Sequence, residues 1–490
     1  MKCEDNTMRY SGMRALIMGL GLHGGGLASA RYLALHGADI TVTDLRDEKT
    51  LAPSLEQLRE FPNIRYVLGR HETADFEHAD MVIKNPGVRP DSPYLHKARR
   101  IETDISLFLT HIDRSKVRLT AVTGSKGKSY TASAIHWGLR NAREQHVLEG
   151  ASGGSAFLGG NITVSPLTFL DKLGGAVDSP DDVVLELSSW QLGDLKGKTG
   201  SDGAALLKPR AAVMTAILPD HLDWYGSMDA YVADKRIIYQ GQDADDGTVV
   251  YDDSWGRRFL SETHARTLVC AGNPLPDGVA GGWLSRGNDT PAFACGTPAD
   301  PVVEIVSGNA RALGVHQKKN LLAAGLALLD LGLPAPFIAE SLAAFPGIEH
   351  RLEWFFEQDG VRFYNDTAAT IPEAAAAAVD AFTGNLVLLT GGTDKRLDFT
   401  PLAGACAKSK KVVLLAGTGS VKLQSLLDAA HIPYAGPFDD LDAAVAACFA
   451  AAEAGDAVAL SPGCTSFGMF QNEFDRGRRW KEAVMRYQRG

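Results

Sequence analysis

The stretch Thr123-Gly-Ser-Lys-Gly-Lys-Ser129 is composed to hold an anion. Two glycines allow a tight backbone turn, Lys128 brings a mobile positive charge, and Ser129 closes the loop with a hydroxyl suited to Mg²⁺. The apolar run from Val117 to Val122 reads as a strand, and Thr131 to Arg140 reads as a helix. A strand, a glycine loop and a helix start aim backbone N–H groups and the positive end of the helix dipole at one point, which is how phosphates are cradled. The spacing T-G-x-x-G-K-S is shorter than the strict G-x-x-x-x-G-K-[ST] pattern and marks a variant of it. A Gly/Ser/Lys surface turn would not need the strand and helix that flank it. Gly124, Ser125, Lys126, Gly127, Lys128, Ser129 and Tyr130 are therefore the candidate nucleotide-binding residues.

A second glycine loop lies near the start. Arg14-Ala-Leu-Ile-Met18 reads as a strand, Gly19-Leu-Gly21-Leu-His-Gly24 opens a helix to about His36, and Ala38 to Asp44 reads as another strand. Asp44 stands 20 residues beyond Gly24, the placement of an acid that bonds a nucleotide ribose. The same carboxylate could equally meet the base or sugar of another nucleotide. Met81 to Lys84 forms a further strand and leads into Asn85-Pro-Gly87. Ligands of open parallel sheets gather at such strand ends.

Composition bounds the rest. A chain of 490 residues with 45% hydrophobic content implies a soluble protein of two to four domains. Its formal net charge of −10 argues against broad nucleic-acid or anionic-membrane binding. No apolar run approaches the roughly 18 residues of a spanning helix, and the N-terminus is polar. Six scattered cysteines form no C-x-x-C pair, which points to neither a zinc ribbon nor a disulfide framework and favours the cytoplasm.

Strands alternating with helices imply an α/β fold with mostly parallel sheets in three parts. Residues 1–113 form a Rossmann-like domain, 114–345 a P-loop-type ATPase domain, and 346–490 a second Rossmann-like α/β domain. In the middle part, Val183 to Ser189 and Ala211 to Thr215 read as strands, Asp220-His-Leu-Asp223 leads to a helical stretch through Lys235, and Leu321 to Leu331 reads as a helix. The Gly/Asp-rich segment 196–208 looks like a loop insertion. A hinge is expected around Phe345-Pro-Gly347. In the last part, strands are expected at Val361–Tyr364, Leu386–Thr390, Val412–Leu415 and Ala457–Leu460, with a helix from Pro372 to Phe382.

Taken in order, the phosphate loop, Leu185-Glu-Leu-Ser-Ser-Trp-Gln-Leu192, Asp220-His-Leu-Asp223 with Lys235, His316 with Asn320, His350-Arg-Leu-Glu353, Asn365-Asp-Thr367 and Leu460 to Phe467 make a chain that resembles the Mur ligases, and among them the branch that adds D-glutamate. The resemblance implies an ATP-dependent amide ligase of cytoplasmic peptidoglycan precursor synthesis, monomeric, using two Mg²⁺ sites. Its implied substrates are UDP-N-acetylmuramoyl-L-alanine and D-glutamate. It assigns Lys128 to the phosphates, Ser129 and Glu186 to one Mg²⁺, and His221 with a carbamylated Lys235 to a second. Gln317 and Asn320 fall at the adenine; Arg351 and Asp366 reach the ribose and phosphates. Gly21, Asp44, Asn85 and Gly87 surround the uridine diphosphate, and Asn161 the muramoyl part. Thr370, Lys395, Ser466 and Phe467 match the amino-acid pocket. Ala368 replaces a lysine of the family pattern, Glu473 an aromatic, and Tyr130 a threonine, so the added amino acid is the least constrained expectation.

Three other readings compete. Another Mur ligase or a folylpolyglutamate-type ligase would share the phosphate loop, but the latter lacks the first domain. A NAD-dependent dehydrogenase accounts for Gly19 to Gly24 alone. A non-catalytic nucleotide switch leaves Glu186, His221 and Lys235 without a role.

Overall fold

The computed structural model describes residues 9–22, 24–147, 154–284, 292–295, 302–308, 310–312, 314–382 and 384–487. His23, within the first glycine loop, and Cys3 lie outside them. The fold contains three sheets, and the chain divides into two compact units. The first comprises residues 1–308 with 319–342, and the second 309–318 with 343–490.

The first sheet is built from β1 (Arg14–Met18), β2 (Asp39–Asp44), β3 (Arg65–Leu68), β4 (Met81–Lys84) and β5 (Ile101–Glu102). Its order is β3-β2-β1-β4-β5, all parallel. Strands buried on both faces must be nearly continuous apolar runs, and β1 and β4 are. The edge strand β3, Arg65-Tyr-Val-Leu68, is short and exposes Arg65 and Tyr66, so it escapes a reading of apolar runs.

The second sheet holds β6 (Val117–Thr123), β7 (Ala156–Gly160), β8 (Asp181–Glu186), β9 (Ala211–Met214), β10 (Gly247–Tyr251), β11 (Arg266–Ala271), β12 (Gly281–Leu284), β13 (Ala292–Cys295) and β14 (Val303–Val306). The order is β14-β13-β12-β11-β10-β9-β6-β8-β7. The strands run parallel as far as β12, after which β13 and β14 turn antiparallel. Strand order reverses direction at β6, with β8 on one side and β9 on the other. Such switch points open a crevice at the carboxyl ends of the strands, and the phosphate loop leaves β6 there. The segment 196–208 is a tethered loop. Thr199 and Ala205 form a bridge, Arg114 donates to the Ala205 and Leu206 carbonyls at 2.8 and 2.9 Å, and Lys198 donates to Glu102.

The third sheet, in the second unit, holds β15 (Glu353–Gln358), β16 (Val361–Asn365), β17 (Leu386–Gly391), β18 (Lys411–Leu415), β19 (Tyr434–Phe438) and β20 (Ala457–Leu460). The order is β15-β16-β20-β17-β18-β19. Only β15 is antiparallel, paired with β16 as the expected hairpin. Residues 309–318, expected with the middle part, group with this unit, where the Arg311 guanidinium lies over the Trp354 ring. Cys270, Cys406, Cys448 and Cys464 are free and buried. Burial pushes the Cys270, Cys406 and Cys464 thiols up to about 12.

Candidate functional site

The phosphate loop is pinned before any ligand arrives. The N–H groups of Ser125 and Lys126 donate to the Ala216 carbonyl. The Ser125 hydroxyl donates to Leu218 O at 2.9 Å and lies 3.0 Å from the Tyr231 hydroxyl, while Thr215 Oγ1 donates to Lys126 O at 2.8 Å. The glycines are required. Gly124 and Gly127 have φ of 146° and 92°, and a Cβ at Gly127 would strike the Asn320 side chain. We expect Gly127→Ala to weaken nucleotide binding by about tenfold or more, since strain of this kind is worth roughly 1–3 kcal/mol. Titration with an ATP analogue measures it, and unchanged affinity would contradict the close approach.

Two amines converge on this loop. Lys128, at the start of the helix Lys128–Glu144, donates to the Gly124 and Ser125 carbonyls at 3.0 and 3.1 Å. Lys235, at the end of the helix Met228–Lys235, is 1% exposed and donates to the same Gly124 carbonyl at 2.8 Å. Its Nζ also sits 4.6 Å over the Tyr231 ring. Burial, and next the nearby Lys128 charge, pull the Lys235 amine down to about 7. Burial lowers Lys128 too, against the pull of Glu186 and Asp220.

Glu186 ends β8 with its side chain buried. Asn161 donates to its Oε1 at 2.9 Å, while Oε2 is buried without a hydrogen-bond partner. An orphaned carboxylate oxygen beside a phosphate loop fits a hard cation such as Mg²⁺, and an amine near neutrality fits a carbamate. His221 caps the short helix Leu222–Tyr225 with φ of 52°. Its ring lies 4.6 Å from Trp190, and Asp220 Oδ1 is 3.9 Å from its Nε2.

Asn320 is held against the loop by Tyr251, whose hydroxyl donates to Asn320 Oδ1 at 2.7 Å. It shares the helix Gly314–Asp330 with Gln317. Ser129 and Tyr130 occupy the first turn of the helix Lys128–Glu144, with Tyr130 buried.

At the carboxyl edge of the first sheet, Gly19, Gly21 and Gly24 all take positive φ. Asp44 is buried and accepts from the Gly21 and Arg46 N–H groups at 3.2 and 2.9 Å. Asn85 accepts from Gly87 N–H at 3.1 Å, and its amide donates to Gly19 O at 3.4 Å. The acid and both loops meet at one strand edge.

In the second unit, the carboxyl ends of β16, β20 and β17 lie side by side. Asp366 accepts from Leu352 N–H at 3.1 Å and Ser461 Oγ at 2.6 Å. Burial pushes its carboxyl up to about 7, the Ser461 bond opposing. Arg351 and Lys395 are exposed, Thr370 is half-buried, Ser466 is buried, and Phe467 is 61% exposed. Glu349, His350 and Glu353 come close together, but Lys481 bonds both carboxylates at 3.2 and 2.7 Å and supplies the charge a cation would bring.

Sequence reading missed several supports. Asn161 bonds Glu186, Tyr251 fixes Asn320, and Arg476, 1% exposed, ties Thr367 to the Cys464 carbonyl. Asn161 is expected at the muramoyl side from its loop, but its bond to Glu186 is not; Tyr251 and Arg476 carry no local motif and act across long sequence separations.

Comparison with known proteins matches the same regions. Residues 13–106 match the Mur ligase MurD-like N-terminal domain, 122–328 the Mur ligase middle domain, and 350–464 the Mur ligase glutamate ligase domain. The UDP-N-acetylmuramoylalanine–D-glutamate ligase of Treponema pallidum is 40% identical, over 98% of this chain and 99% of its own. That of Roseiflexus sp. is 39% identical, over 97% and 99%. Among solved structures, MurF ligase of Thermotoga maritima in complex with ADP aligns at TM-score 0.54 and 16% identity, covering 98% of each chain. MurC of the same organism aligns at 0.52 and 20%, covering 96% of this chain and 99% of its own. On these near full-length similarities, the chain belongs to the Mur ligase family.

Proposed function

We propose that this enzyme, an ATP-dependent ligase that forms an amide bond, joins D-glutamate to UDP-N-acetylmuramoyl-L-alanine in peptidoglycan precursor synthesis. The observation that carries the reading is the pair of amines sharing the Gly124 carbonyl beside the orphaned Glu186 oxygen. A carboxylate and a triphosphate repel each other, and this cluster is arranged to offset that repulsion. Relatives that bear this activity in their names cover nearly all of the chain.

In this scheme a substrate carboxylate oxygen attacks the γ-phosphorus and ADP leaves, giving an acyl phosphate. The deprotonated amine of the amino acid attacks the acyl carbon, and phosphate leaves from the tetrahedral intermediate. Lys128 bears on the transferred phosphoryl group. Gln317 and Asn320 hold the adenine, Arg351 and Asp366 the ribose and phosphates, and Gly21, Asp44, Asn85 and Gly87 the uridine diphosphate. Asn161 serves the muramoyl side, with Thr370, Lys395, Ser466 and Phe467 at the amino acid. Ser129 and Glu186, and His221 with carbamylated Lys235, would hold two Mg²⁺ ions, which supply charge neutralisation when bound. Three domains, 1–113, 114–345 and 346–490, belong to the same proposal; the family segments fall one within each. Among the described residues no helix is long and apolar enough to cross a membrane.

Phosphate release from ATP, with UDP-N-acetylmuramoyl-L-alanine and a panel of D- and L-amino acids, tests the reading. D-Glutamate should exceed its enantiomer by about 100-fold or more, because mispositioned polar groups leave buried partners unpaired. A different preferred amino acid would move the chain to another Mur activity and would direct attention to Ala368 and Glu473. Release without any amino acid would remove the ligase reading.

A further inference from the structure

A run of closely packed, mutually tilted rings leads from the loop after β4 to His221. The Arg89 guanidinium lies 4.8 Å over the Trp224 ring. Trp224 and Trp190 have centroids 4.8 Å apart at 35°, and Trp190 reaches His221 at 4.6 Å and 46°. These groups come from three separate segments. Arg89 follows the Asn85-Pro-Gly87 turn, Trp190 stands four residues after Glu186, and Trp224 lies in the helix that His221 caps. A second tie joins the same two regions. Lys84, 4% exposed, pairs with Asp194 at 2.9 Å and donates to Val88 O at 3.0 Å. Asp194 directly follows the helix Ser189–Gly193 that carries Trp190. The loop is thus fastened at both of its ends, at one end to Asp194 beside the helix Ser189–Gly193 and at the other to Trp224 of the helix Leu222–Tyr225, and Trp190 packs between the two helices.

His221 packs most closely on Trp190, with the Tyr231 ring at 6.3 Å and Asp220 Oδ1 3.9 Å from Nε2 as its more distant neighbours. Among the described residues neither ring nitrogen makes a hydrogen bond, and its backbone sits in the left-handed region. A metal-binding histidine is ordinarily aimed by a hydrogen bond on its second nitrogen; here an indole face does the aiming. The Trp190 N–H is buried with no acceptor, an unfavourable state that the fold tolerates while keeping that ring between Trp224 and His221. An ordinary surface stack would involve neither the strained histidine nor the unsatisfied indole.

We propose that Trp190 and Trp224 are positioning residues that couple occupancy of the loop 85–89 to the orientation of the His221 imidazole, so that the UDP-substrate and the Mg²⁺–nucleotide each tighten the other's binding. The inference rests on the ligase reading. Coupling of this kind must be reciprocal, and a chain of contacts becomes a route only when coupling through it is measured.

The experiment is calorimetric titration of the full chain with UDP-N-acetylmuramoyl-L-alanine and a non-hydrolysable ATP analogue with Mg²⁺, each alone and each in the presence of the other. Wild type should show mutual tightening of about fivefold or more. In Trp224→Leu each ligand alone should bind as to wild type, while the mutual tightening disappears. Trp224→Phe should retain it. The change in indole emission on adding the UDP-substrate should be lost in Trp224→Leu as well. Should Trp224→Leu fold poorly, Arg89→Gln alters an exposed group, removes its pairing with Asp91 as well as its contact with Trp224, and should weaken the coupling on its own, whereas Asp91→Asn should leave the coupling in place. Undiminished coupling in Trp224→Leu, or none in wild type that binds both ligands, overturns the proposal. Wild type that fails to bind the UDP-substrate at all removes the ligase reading and this inference with it.

Discussion

Replacing Lys128 by alanine should lower turnover by at least about 100-fold and leave the fold intact. The charge is the reason for the loss. In the proposed scheme Lys128 is the cation that meets the phosphates, and a transferred phosphoryl group passing between two oxygens needs positive charge aimed at it in a site that excludes water. Stability is largely spared because the ammonium's bonds to the Gly124 and Ser125 carbonyls are only part of what holds the loop. The Ser125 and Lys126 N–H bonds to Ala216, the Thr215 bond to Lys126 O and the Ser125 contacts with Leu218 and Tyr231 all remain. Removing Lys128 also removes the cation nearest Lys235, so the Lys235 amine should move back up. Arginine should not substitute, since its planar fork differs from a compact ammonium. Single-turnover kinetics alongside thermal unfolding decide the matter; an alanine variant with near-normal turnover would end the phosphate-loop assignment.

Lys235→Ala should be comparably inactive, by about 100-fold or more, and a short-chain carboxylic acid such as acetate should restore part of the rate. An ammonium cannot ligate a cation, whereas a carbamate presents anionic oxygen, and a small carboxylate can enter the space that the truncated side chain vacates. The adduct forms only on the neutral amine. With the amine at about 7, its neutral fraction is the majority above that pH and falls about tenfold per unit below it. Protein equilibrated in low bicarbonate at pH 6 should therefore start turnover more slowly than protein equilibrated at pH 8. Full activity with a plain ammonium seen at Lys235 in high bicarbonate would contradict the carbamate. So would a dead alanine variant that no carboxylate revives but that unfolds normally.

The parts of this fold legible in the sequence are those where chemistry and burial coincide. β1, β2, β4, β6 and β8 are largely buried and lead into the candidate site residues, so Asp44 and Glu186 could be placed at strand ends, Asn85 just after one and Lys128 at the helix start beyond β6 without coordinates. The strands that went unread either sit at sheet edges or carry no motif. β3 exposes one side, β7 is Ala156-Phe-Leu-Gly-Gly160, and β19 contains a proline; β10 and β11 are interior but end in nothing that suggests chemistry. The site shows the same division. Lys235 is singled out only by the family resemblance, since its sequence neighbours alone suggest an exposed helix lysine; its burial and its sharing of the Gly124 carbonyl depend on a contact spanning 111 residues. Asn161 illustrates the limit. Its loop position is readable, whereas its bond to Glu186 follows from β7 pairing with β8, which no local pattern states.

The buried thiols have a use in solution chemistry. Cys464 stands two residues before Ser466 in the expected amino-acid pocket, is 2% exposed and has its thiol pushed up to about 12. An alkylating reagent reacts with thiolate and needs access, so it can label this position only during excursions in which the segment after β20 opens. The labelling rate is then a clock for that opening, read residue by residue against Cys448 in the hydrophobic core of the same unit. Because partial openings differ in free energy across one structure, ligands that quiet the Cys464 signal and leave Cys448 unchanged would be recognised as occupants of the pocket rather than as general stabilisers. The four buried cysteines among the described residues thus make the unmodified chain its own footprinting probe.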